Sequence, residues 1–167
     1  MIGMKKAHDI RWYELADLPE MVRLHQESFP SERWTAQKFC NFAGKAGNGC
    51  IVSVRDGRIA ACMLYHQITR SRIRIEYLSV DKYYRRRGVG TELLWTLLSG
   101  HKGRTFTAMA QEDNTEAHLF LKSFGFEAVP PFVCENFFAD KTGAIPFQLR
   151  TQRPRKGRTN RLLVGSR

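Results

Sequence analysis

Apolar residues in the middle of the chain recur in three closely spaced extended runs. The runs cover 50–54, 59–68 and 73–80, and an Asp-Gly pair at 56–57 between the first two is a strong hairpin signal. A polar turn at 69–72 joins the second run to the third. Connections this short predict three consecutive antiparallel strands.

Other segments carry the signals of helices and further strands. Apolar residues at helical spacing follow the third strand, from Leu93 to Leu98, and recur from Ala117 to Phe124. Because a strand reached through a helix usually pairs in parallel, we expect 105–110 to lie parallel to 73–80. The remaining predicted elements are a strand at 10–15, helices capped by Asp17, by Ser31 or Thr35 and by Asp113 or Asn114, a helix end near Gly100 or Gly103, and strands from Phe126 and at 145–149. This is an α+β fold, with a mixed, mostly antiparallel central sheet flanked by about four helices.

The segment between the third strand and its helix is rich in arginine and glycine. Three arginines, Arg85 to Arg87, precede the Gly-Val-Gly sequence at 88–90, where the helix begins. The free N–H groups of a helix's first turn and the helix dipole attract an anion. Glycine lacks Cβ, so a ligand can approach the backbone closely. The segment predicts a cradle for a diphosphate, and a basic, solvated helix start is the alternative.

The composition is typical of one globular domain, because 43% of the 167 residues are hydrophobic and 26% are charged. There is no run of about 18 apolar residues that would predict a membrane span, and no apolar stretch typical of a secretory signal. Cys40, Cys50, Cys62 and Cys134 form no Cys-x-x-Cys pair and have no histidine at metal-ligand spacing. We therefore expect reduced cysteines, no metal and a cytoplasmic location.

The positive charge is concentrated near the C-terminus. The net charge is +11, and residues 150–167 hold six Arg and one Lys without an acidic residue. We interpret 1–149 as the folded domain and 150–167 as a flexible basic tail. Such a tail can contact nucleic acid or a ribosome weakly through counterion release. The alternative is a disordered segment that only aids solubility.

Two blocks of sequence resemble the GNAT superfamily of acyl-CoA-dependent N-acetyltransferases. The first is Leu78-Ser79-Val80 followed by Arg-Arg-Arg-Gly-Val-Gly-Thr at 85–91, which resembles the family's Arg/Gln-x-x-Gly-x-Gly/Ala signature. The second is the segment 113–126, which begins with Asp-Asn and ends with Phe-Gly-Phe. A weaker resemblance, in the segment 27–39, is to the ribosomal-protein alanine acetyltransferase branch.

The resemblance implies acetyl-CoA as cosubstrate and no metal. It implies that the N–H groups of 86–91 hold the diphosphate, and that Leu78 and Val80 pair with the amides of the pantetheine arm. The N–H of Leu78 or Ser79 would polarise the thioester carbonyl. Asn114 would reach the pantetheine arm, unless it is only a helix cap. The implied cofactor-binding residues are Leu78, Ser79, Val80, Arg85, Arg86, Arg87, Gly88, Val89, Gly90, Thr91 and Asn114.

The usual catalytic positions of the family are apolar in this chain. In the branch that acetylates protein N-termini, a Glu or His on the fifth strand often serves as base, and a Tyr seven residues after the Asn as acid. Counted from Asn114, these positions are Met109 and Leu121. Positioning two reactants alone contributes about 7–11 kcal/mol, so this departure does not exclude turnover.

Strand residues near the acetyl group are the replacement candidates. Glu76 lies two residues before Leu78, so strand alternation places both on one face. We predict Glu76 and Tyr77 as the catalytic residues, with an ion-paired carboxylate and a packed aromatic as the respective alternatives. Other side chains that can face a substrate are Tyr65, His66, Glu27, Glu32, Cys134 and Glu135.

The sequence thus predicts an enzyme that moves an acetyl group from acetyl-CoA directly to a primary amine. A protein N-terminus or a lysine is favoured over a small-molecule amine, and no membrane partner is expected. The alternative is a catalytically degenerate module that binds acyl-CoA or associates with RNA without turnover. The acceptor pocket should come from the loops 29–42 and 130–143.

Overall fold

A computed structural model describes residues 8–152 of the chain. This part contains seven strands, four α-helices and a 3-10 turn at Leu15–Asp17. In chain order the elements are β1 (His8–Trp12), α1 (Leu18–Ser28), α2 (Ala36–Ala43), β2 (Asn48–Arg55), β3 (Arg58–Thr69), β4 (Arg72–Val80), α3 (Val89–Gly100), β5 (Thr105–Gln111), α4 (Thr115–Ser123), β6 (Glu127–Ala128) and β7 (Ala144–Arg150). Within 8–152, no helix has the length and apolar character needed to cross a membrane.

All seven strands form one sheet in the order β1-β2-β3-β4-β5-β7-β6. Neighbours pair antiparallel except β4 and β5, which pair in parallel because the chain passes through α3 between them. The predicted meander, the parallel pair and the α+β class with four helices are therefore confirmed.

Helices cover both faces of the sheet and give the domain two apolar layers. On one face α3 and α4 pack against the strands, with Leu93 and Phe106 fully buried in that layer. On the other face α1 and α2 do the same, and Met21, Phe39 and Leu64 are buried there. The apolar stripe of each helix thus finds a sheet face to pack on.

The first strand ends earlier than the prediction of 10–15. β1 stops at Trp12 because the Asp17 side chain binds the residues on either side of Tyr13 and holds the chain in a turn. The Asp17 carboxylate accepts hydrogen bonds from the Glu14 N–H (2.7 Å) and from the Arg11 guanidinium (2.7 and 3.0 Å). Asp17 precedes α1 but makes no side-chain cap to it, so its predicted capping role is wrong.

The other helix caps and strand starts are now specified. Thr35 caps α2, with its Oγ1 accepting a hydrogen bond from the Lys38 N–H at 3.3 Å. Leu119 has helical spacing in α4, yet its side chain is 64% exposed. Phe126 is buried in the core just before β6, which is only two residues long.

Candidate active site

β4 and β5 run side by side only at their beginnings. Their pairing ends at Ile75 and Ala108, after which β4 stays with β3 as far as Val80 and β5 stays with β7 as far as Gln111. The two strands therefore separate, and a cleft of about 410 Å3 opens between them. The starts of α3 and α4 border one half, here called the cofactor half, and the segments after α1 and before β7 border the other, the acceptor half.

The edge of β4 in this gap offers unpaired backbone groups. The Asp81 N–H donates to the carbonyl of Ala60 on β3 at 2.9 Å. Since alternate residues of a strand direct their N–H and C=O to opposite sides, Leu78 and Val80 direct theirs toward the gap. One of these groups is already engaged, because Arg85 Nε donates to the Val80 carbonyl at 3.0 Å.

The cradle predicted at 85–91 lies at the cofactor half, in the turn that leads into α3. Gly88 has φ 78°, a left-handed conformation that favours glycine, and no side chain caps the helix. The N–H groups of Val89, Gly90 and Thr91 therefore lie free at the helix start and border the cleft. A Cβ at Gly90 would lie 3.2 Å from Val80 Cγ2, so this glycine keeps the floor of the cleft open.

The turn before α3 is tied to the rest of the domain at both ends. Asp81 accepts hydrogen bonds from the Tyr83 N–H (2.9 Å) and from Arg23 of α1 (3.0 Å). Burial disfavours the ionised form of Asp81, but these hydrogen bonds outweigh it and lower the pKa. Arg86, at φ 58°, reaches Glu116 of α4 at 2.9 Å. These contacts hold the turn in a shape that the arginine run alone does not specify.

Asn114 faces the cleft from the other side and is also a helix cap. Its Oδ1 accepts a hydrogen bond from the Ala117 N–H at 3.0 Å, which assigns the cap of α4 to Asn114 rather than Asp113. Its position beside the cleft is the one expected of a residue that contacts the cofactor arm. The two roles are compatible, because the capping oxygen leaves the amide Nδ2 as a second polar group.

Met109 and Leu121 both line the cleft. Met109 is partly buried on β5, where it pairs with Pro146 of β7, and Leu121 is 7% exposed on α4. The two positions that the family resemblance assigns to a base and an acid therefore border the cleft but hold apolar side chains. Proton transfer in this cleft has to come from other residues.

The prediction that Glu76 shares a face with Leu78 is wrong. Tyr77 pairs with Leu64 of β3 and Ile75 pairs with Tyr65, so Glu76 has no partner and forms a β-bulge. The extra residue shifts the alternation of β4. Glu76 consequently lies with Arg74 and His66, its Oε1 being 3.3 Å from Arg74 Nε and 2.7 Å from His66 Nδ1. It still borders the cleft, now as part of an ion-paired cluster.

Tyr77 borders the acceptor half and carries a polar link to a loop. Its hydroxyl donates to Glu32 Oε2 at 3.4 Å, and the Ala139 N–H donates to Glu32 Oε1 at 3.3 Å. Burial, together with the nearby Glu32 charge, raises the pKa of Tyr77 to about 12. Tyr77 therefore keeps its proton at neutral pH and can act as a donor. Glu32, which the sequence offers as a side chain that can face a substrate, joins three separate segments through these contacts.

A buried histidine supports Tyr77 from behind. The His25 ring lies edge-on to Tyr77, with centroids 4.5 Å apart, and Phe29, Trp34 and Phe39 lie within 5.8 Å of it. His25 is fully buried, and neither ring nitrogen has a hydrogen-bond partner among residues 8–152. Burial lowers its pKa to about 4, so the ring is neutral at pH 7. The aromatic density of 25–42 was the sequence signal for this cluster.

The loop between β6 and β7 forms the outer wall of the acceptor half. Phe138 of this loop borders the cleft, and Phe137 packs edge-to-face against it with ring centroids 5.1 Å apart. Gln111 at the end of β5 donates to Thr142 Oγ1 at 3.2 Å, which fastens the loop to the sheet. The loop predicted to shape the acceptor pocket therefore does border the cleft.

Several other candidates lie away from the cleft. Tyr65 is buried against His101, and Glu27 is paired with Arg23 on the surface of α1. The backbone of Cys134 forms an isolated antiparallel β-bridge with Ala144. Neither Cys134 nor Glu135 borders the cleft. Among residues 8–152, no cluster of three or more His, Cys, Asp or Glu could hold a metal ion.

Residues 10–126 match the model of the Acetyltransferase (GNAT) family. The match spans well over half of the chain, and the protein belongs to this family of acetyltransferases. A search of curated proteins finds no match to the chain.

Solved structures share the whole architecture at low sequence identity. Ard1 from Thermoplasma volcanium is 23% identical, with a TM-score of 0.81, over 89% of this chain and 100% of Ard1. The ribosomal-protein-S18-alanine N-acetyltransferase from Escherichia coli is 20% identical, with a TM-score of 0.76, over 90% of this chain and 97% of that enzyme. Arabidopsis thaliana NAA60 in complex with acetyl-CoA is 16% identical, with a TM-score of 0.74, over 86% and 98% of the two chains. At these identities the likeness establishes the fold.

Proposed function

We propose that this protein transfers an acetyl group from acetyl-CoA directly to a primary amine. The observation that carries the proposal is the separation of β4 from β5 beside the uncapped start of α3. It sets an extended backbone edge, an anion-attracting helix start and a cleft in one continuous groove. These are the surfaces that an acyl-pantetheine arm with a diphosphate requires.

The residues of the cofactor half fit such a cosubstrate. The N–H groups of 89–91 would hold the diphosphate, and the side chains of 85–87 supply charge-assisted donors for phosphate oxygens. Leu78 and Val80 would hold the pantetheine amides once Arg85 releases the Val80 carbonyl. Because Gly90 has no Cβ, the space beside the Val80 side chain stays open for the cosubstrate. The Leu78 N–H and Asn114 Nδ2 complete the proposed binding set. Ser79 lies between Leu78 and Val80, so its N–H is directed toward β3 and the cofactor role predicted for it is dropped.

Acetyl-CoA would supply a thioester carbon for the amine nitrogen, which must lose two protons during the transfer. We assign the first to Glu76, which borders the cleft and contacts His66 at 2.7 Å. His66 is 30% exposed and can pass this proton to water. The acceptor enters as an ammonium group, so one further proton remains on the nitrogen. As the C–N bond forms and the C–S bond breaks, the Tyr77 hydroxyl would give its proton to the departing sulfur and take this second proton from the nitrogen. Backbone positioning provides the rest of the acceleration.

The acceptor half favours an amine on a polypeptide. Val133 and Phe137 of the β6–β7 loop are 42% and 43% exposed, which gives the loop that carries Phe138 an apolar surface that a metabolite would not need. Glu32 places a carboxylate near the mouth, which attracts an ammonium group. The similar enzyme from Escherichia coli is named for an alanine of a ribosomal protein. We therefore favour a protein N-terminus or a lysine, in a cytoplasmic enzyme. Its catalytic domain, predicted as 1–149, also includes Arg150, the last residue of β7, and Thr151, which is hydrogen-bonded to Arg104.

CoA binding tests the cofactor half, with Thr91→Asp as the variant. An acid in the first turn suits the helix dipole, so the fold should hold, but its charge would face the diphosphate. At about 5 Å and an effective dielectric near 20, the repulsion is about 3 kcal/mol, or roughly 10²-fold in Kd. Thr96→Asp, an exposed position on the same helix, is the control. Calorimetry in which wild type and Thr91→Asp behave alike contradicts the proposal.

The second candidate function is a binding module without turnover, because Met109 and Leu121 are apolar where a base and an acid are expected. A turnover assay separates this module from an enzyme. Thiol release from acetyl-CoA should be followed with peptides bearing a free N-terminus, with lysine peptides and with small amines. We expect release that depends on a peptide amine. Tight CoA binding without release for any acceptor would favour the degenerate module.

A further inference from the structure

A strongly basic surface lies at the end of the sheet opposite the cleft. Three segments meet there: the β3–β4 turn, the α3–β5 turn and the end of β7. Within residues 8–152, none of their basic side chains forms an ion pair. We call this surface the sheet-end patch, and its members are Arg70, Arg72, Lys102, Arg104 and Arg150.

Backbone contacts fix the three segments against one another. Arg72 of β4 pairs with Thr105 of β5, which pairs with Arg150 of β7, so Arg72 and Arg150 lie on the same sheet face. They are separated by two strand spacings, or about 10 Å. The Thr105 N–H donates to Ser71 O at 2.8 Å, and Arg104 N–H donates to Thr151 Oγ1 at 3.0 Å. The patch is therefore part of the folded sheet.

The patch and the residues that follow it account for the whole net charge. Residues 153–167 add five Arg and one Lys, which gives eleven basic residues with the patch. The rest of the chain holds sixteen basic and sixteen acidic residues. No Asp or Glu occurs in 66–75, 93–111 or 144–167. The net positive charge of the chain thus equals the charge of the patch and of residues 153–167.

The chemistry of the patch suits phosphate groups. Four of its five members are arginines, whose planar fork matches phosphate oxygens, and the exposed Thr69 and Ser71 provide hydroxyl groups beside them. Arg104 Nη1 is buried and has no hydrogen-bond partner among residues 8–152. A protein partner would normally require apolar anchors, and Ile68 is the exposed apolar side chain next to the patch.

We propose that the sheet-end patch binds the phosphate backbone of a nucleic acid. The patch contains no aromatic side chain on which a base could stack, so binding should not depend on base sequence. The eight residue steps of β4 separate the patch from the cofactor turn by roughly 26 Å. A nucleic acid held here therefore leaves the cofactor half accessible, and the binding is independent of acetyl transfer.

The test measures binding of a fluorescent 20-base-pair DNA duplex by anisotropy across a salt series, with the full chain. The variant Arg72→Gln/Arg150→Gln removes two exposed charges from the patch. Each lost phosphate contact reduces the slope of log K against log salt by about 0.9, so we expect it to be shallower by about 1.8. Arg58→Gln/Lys38→Gln removes the same charge from the other end of β3 and from α2, and should retain the wild-type slope.

Two further measurements decide the kind of partner. Thr91→Asp should leave the slope unchanged, which separates this proposal from the proposed enzyme activity. Poly-glutamate should bind much more weakly than the duplex at equal charge. The proposal is overturned if wild type shows no salt-dependent binding or if poly-glutamate binds as tightly as the duplex. It is also overturned if Arg72→Gln/Arg150→Gln and the control Arg58→Gln/Lys38→Gln lose affinity equally.

Discussion

The cofactor half and the acceptor half of the cleft are built in different ways. The cofactor half consists of backbone groups: the free edge of β4, the turn 81–88 and the first N–H groups of α3. The acceptor half consists of side chains from distant segments, such as Glu32, Tyr77 and Phe138. A site made of backbone groups keeps its shape when most side chains around it are substituted. A site made of loop side chains changes its shape and charge when the loop sequence changes. This difference explains how relatives can share one cosubstrate and still act on different amines.

Glu76→Gln should break the acceptor half without affecting the cofactor half. The amide keeps the size and the contacts of the bulge but cannot take a proton from the amine. Since one acid or base group contributes roughly 10²–10⁴-fold, kcat should fall about 10³-fold while the KM for acetyl-CoA holds. Steady-state kinetics measures this, with Glu135→Gln as the control. Unchanged kcat would remove Glu76 from the mechanism.

The buried histidine makes the acceptor half acid-sensitive. An unfolded chain protonates His25 near pH 6.5, but in the folded state burial lowers its pKa to about 4. Between these values the unfolded state binds more protons, so stability falls as pH is lowered through this window. The full loss is about 3 kcal/mol. The free energy of unfolding, measured with urea at pH 7 and at pH 4.5, should show most of this loss.

His25→Phe should remove this part of the pH dependence, because the aromatic cage then holds no titratable ring. His101→Gln, at a partly exposed histidine on the other sheet face, should retain it. The same loss of stability in His25→Phe and wild type would show that another group is responsible.

Phe138→Ala tests whether the β6–β7 loop contacts the acceptor. Losing the ring removes apolar area beside the cleft, and about 1.4 kcal/mol of lost contact corresponds to a tenfold higher KM for a peptide acceptor. The KM for acetyl-CoA should not change. Phe132→Ala, an exposed position of the same loop outside the cleft, should have a smaller effect. Equal effects of the two variants would place the acceptor elsewhere.

Asn114 allows the smallest and most discriminating test in the cofactor half. Serine is a good helix cap, whereas alanine costs about 1 kcal/mol at such a position. We expect Asn114→Ser to keep the free energy of unfolding and Asn114→Ala to lower it. Both should weaken CoA binding about fivefold if the amide contacts the cofactor, since a hydrogen bond is worth about 1 kcal/mol. Full CoA affinity in the serine variant would leave Asn114 as a cap alone.

The sequence predicted the cofactor half because its signals are local. A Gly-Val-Gly turn at a helix start and an Asn before the next helix can be read within a few residues. Glu76 was assigned to the wrong face because a one-residue bulge depends on how β4 pairs with β3. Glu32 was undervalued because its partners, Tyr77 and Ala139, are 45 and 107 residues away. The end of β1 was misplaced because the Asp17 carboxylate competes for the backbone of Glu14.

The most direct test of the central claim is acetyl transfer itself. Purified protein, acetyl-CoA and a peptide with a free N-terminal amine should be followed by thiol release and by the mass of the peptide. We expect one acetyl group on the peptide for each thiol released, in wild type and in Thr96→Asp but not in Thr91→Asp. Saturated CoA binding with no acetylated product from peptides or small amines would contradict it.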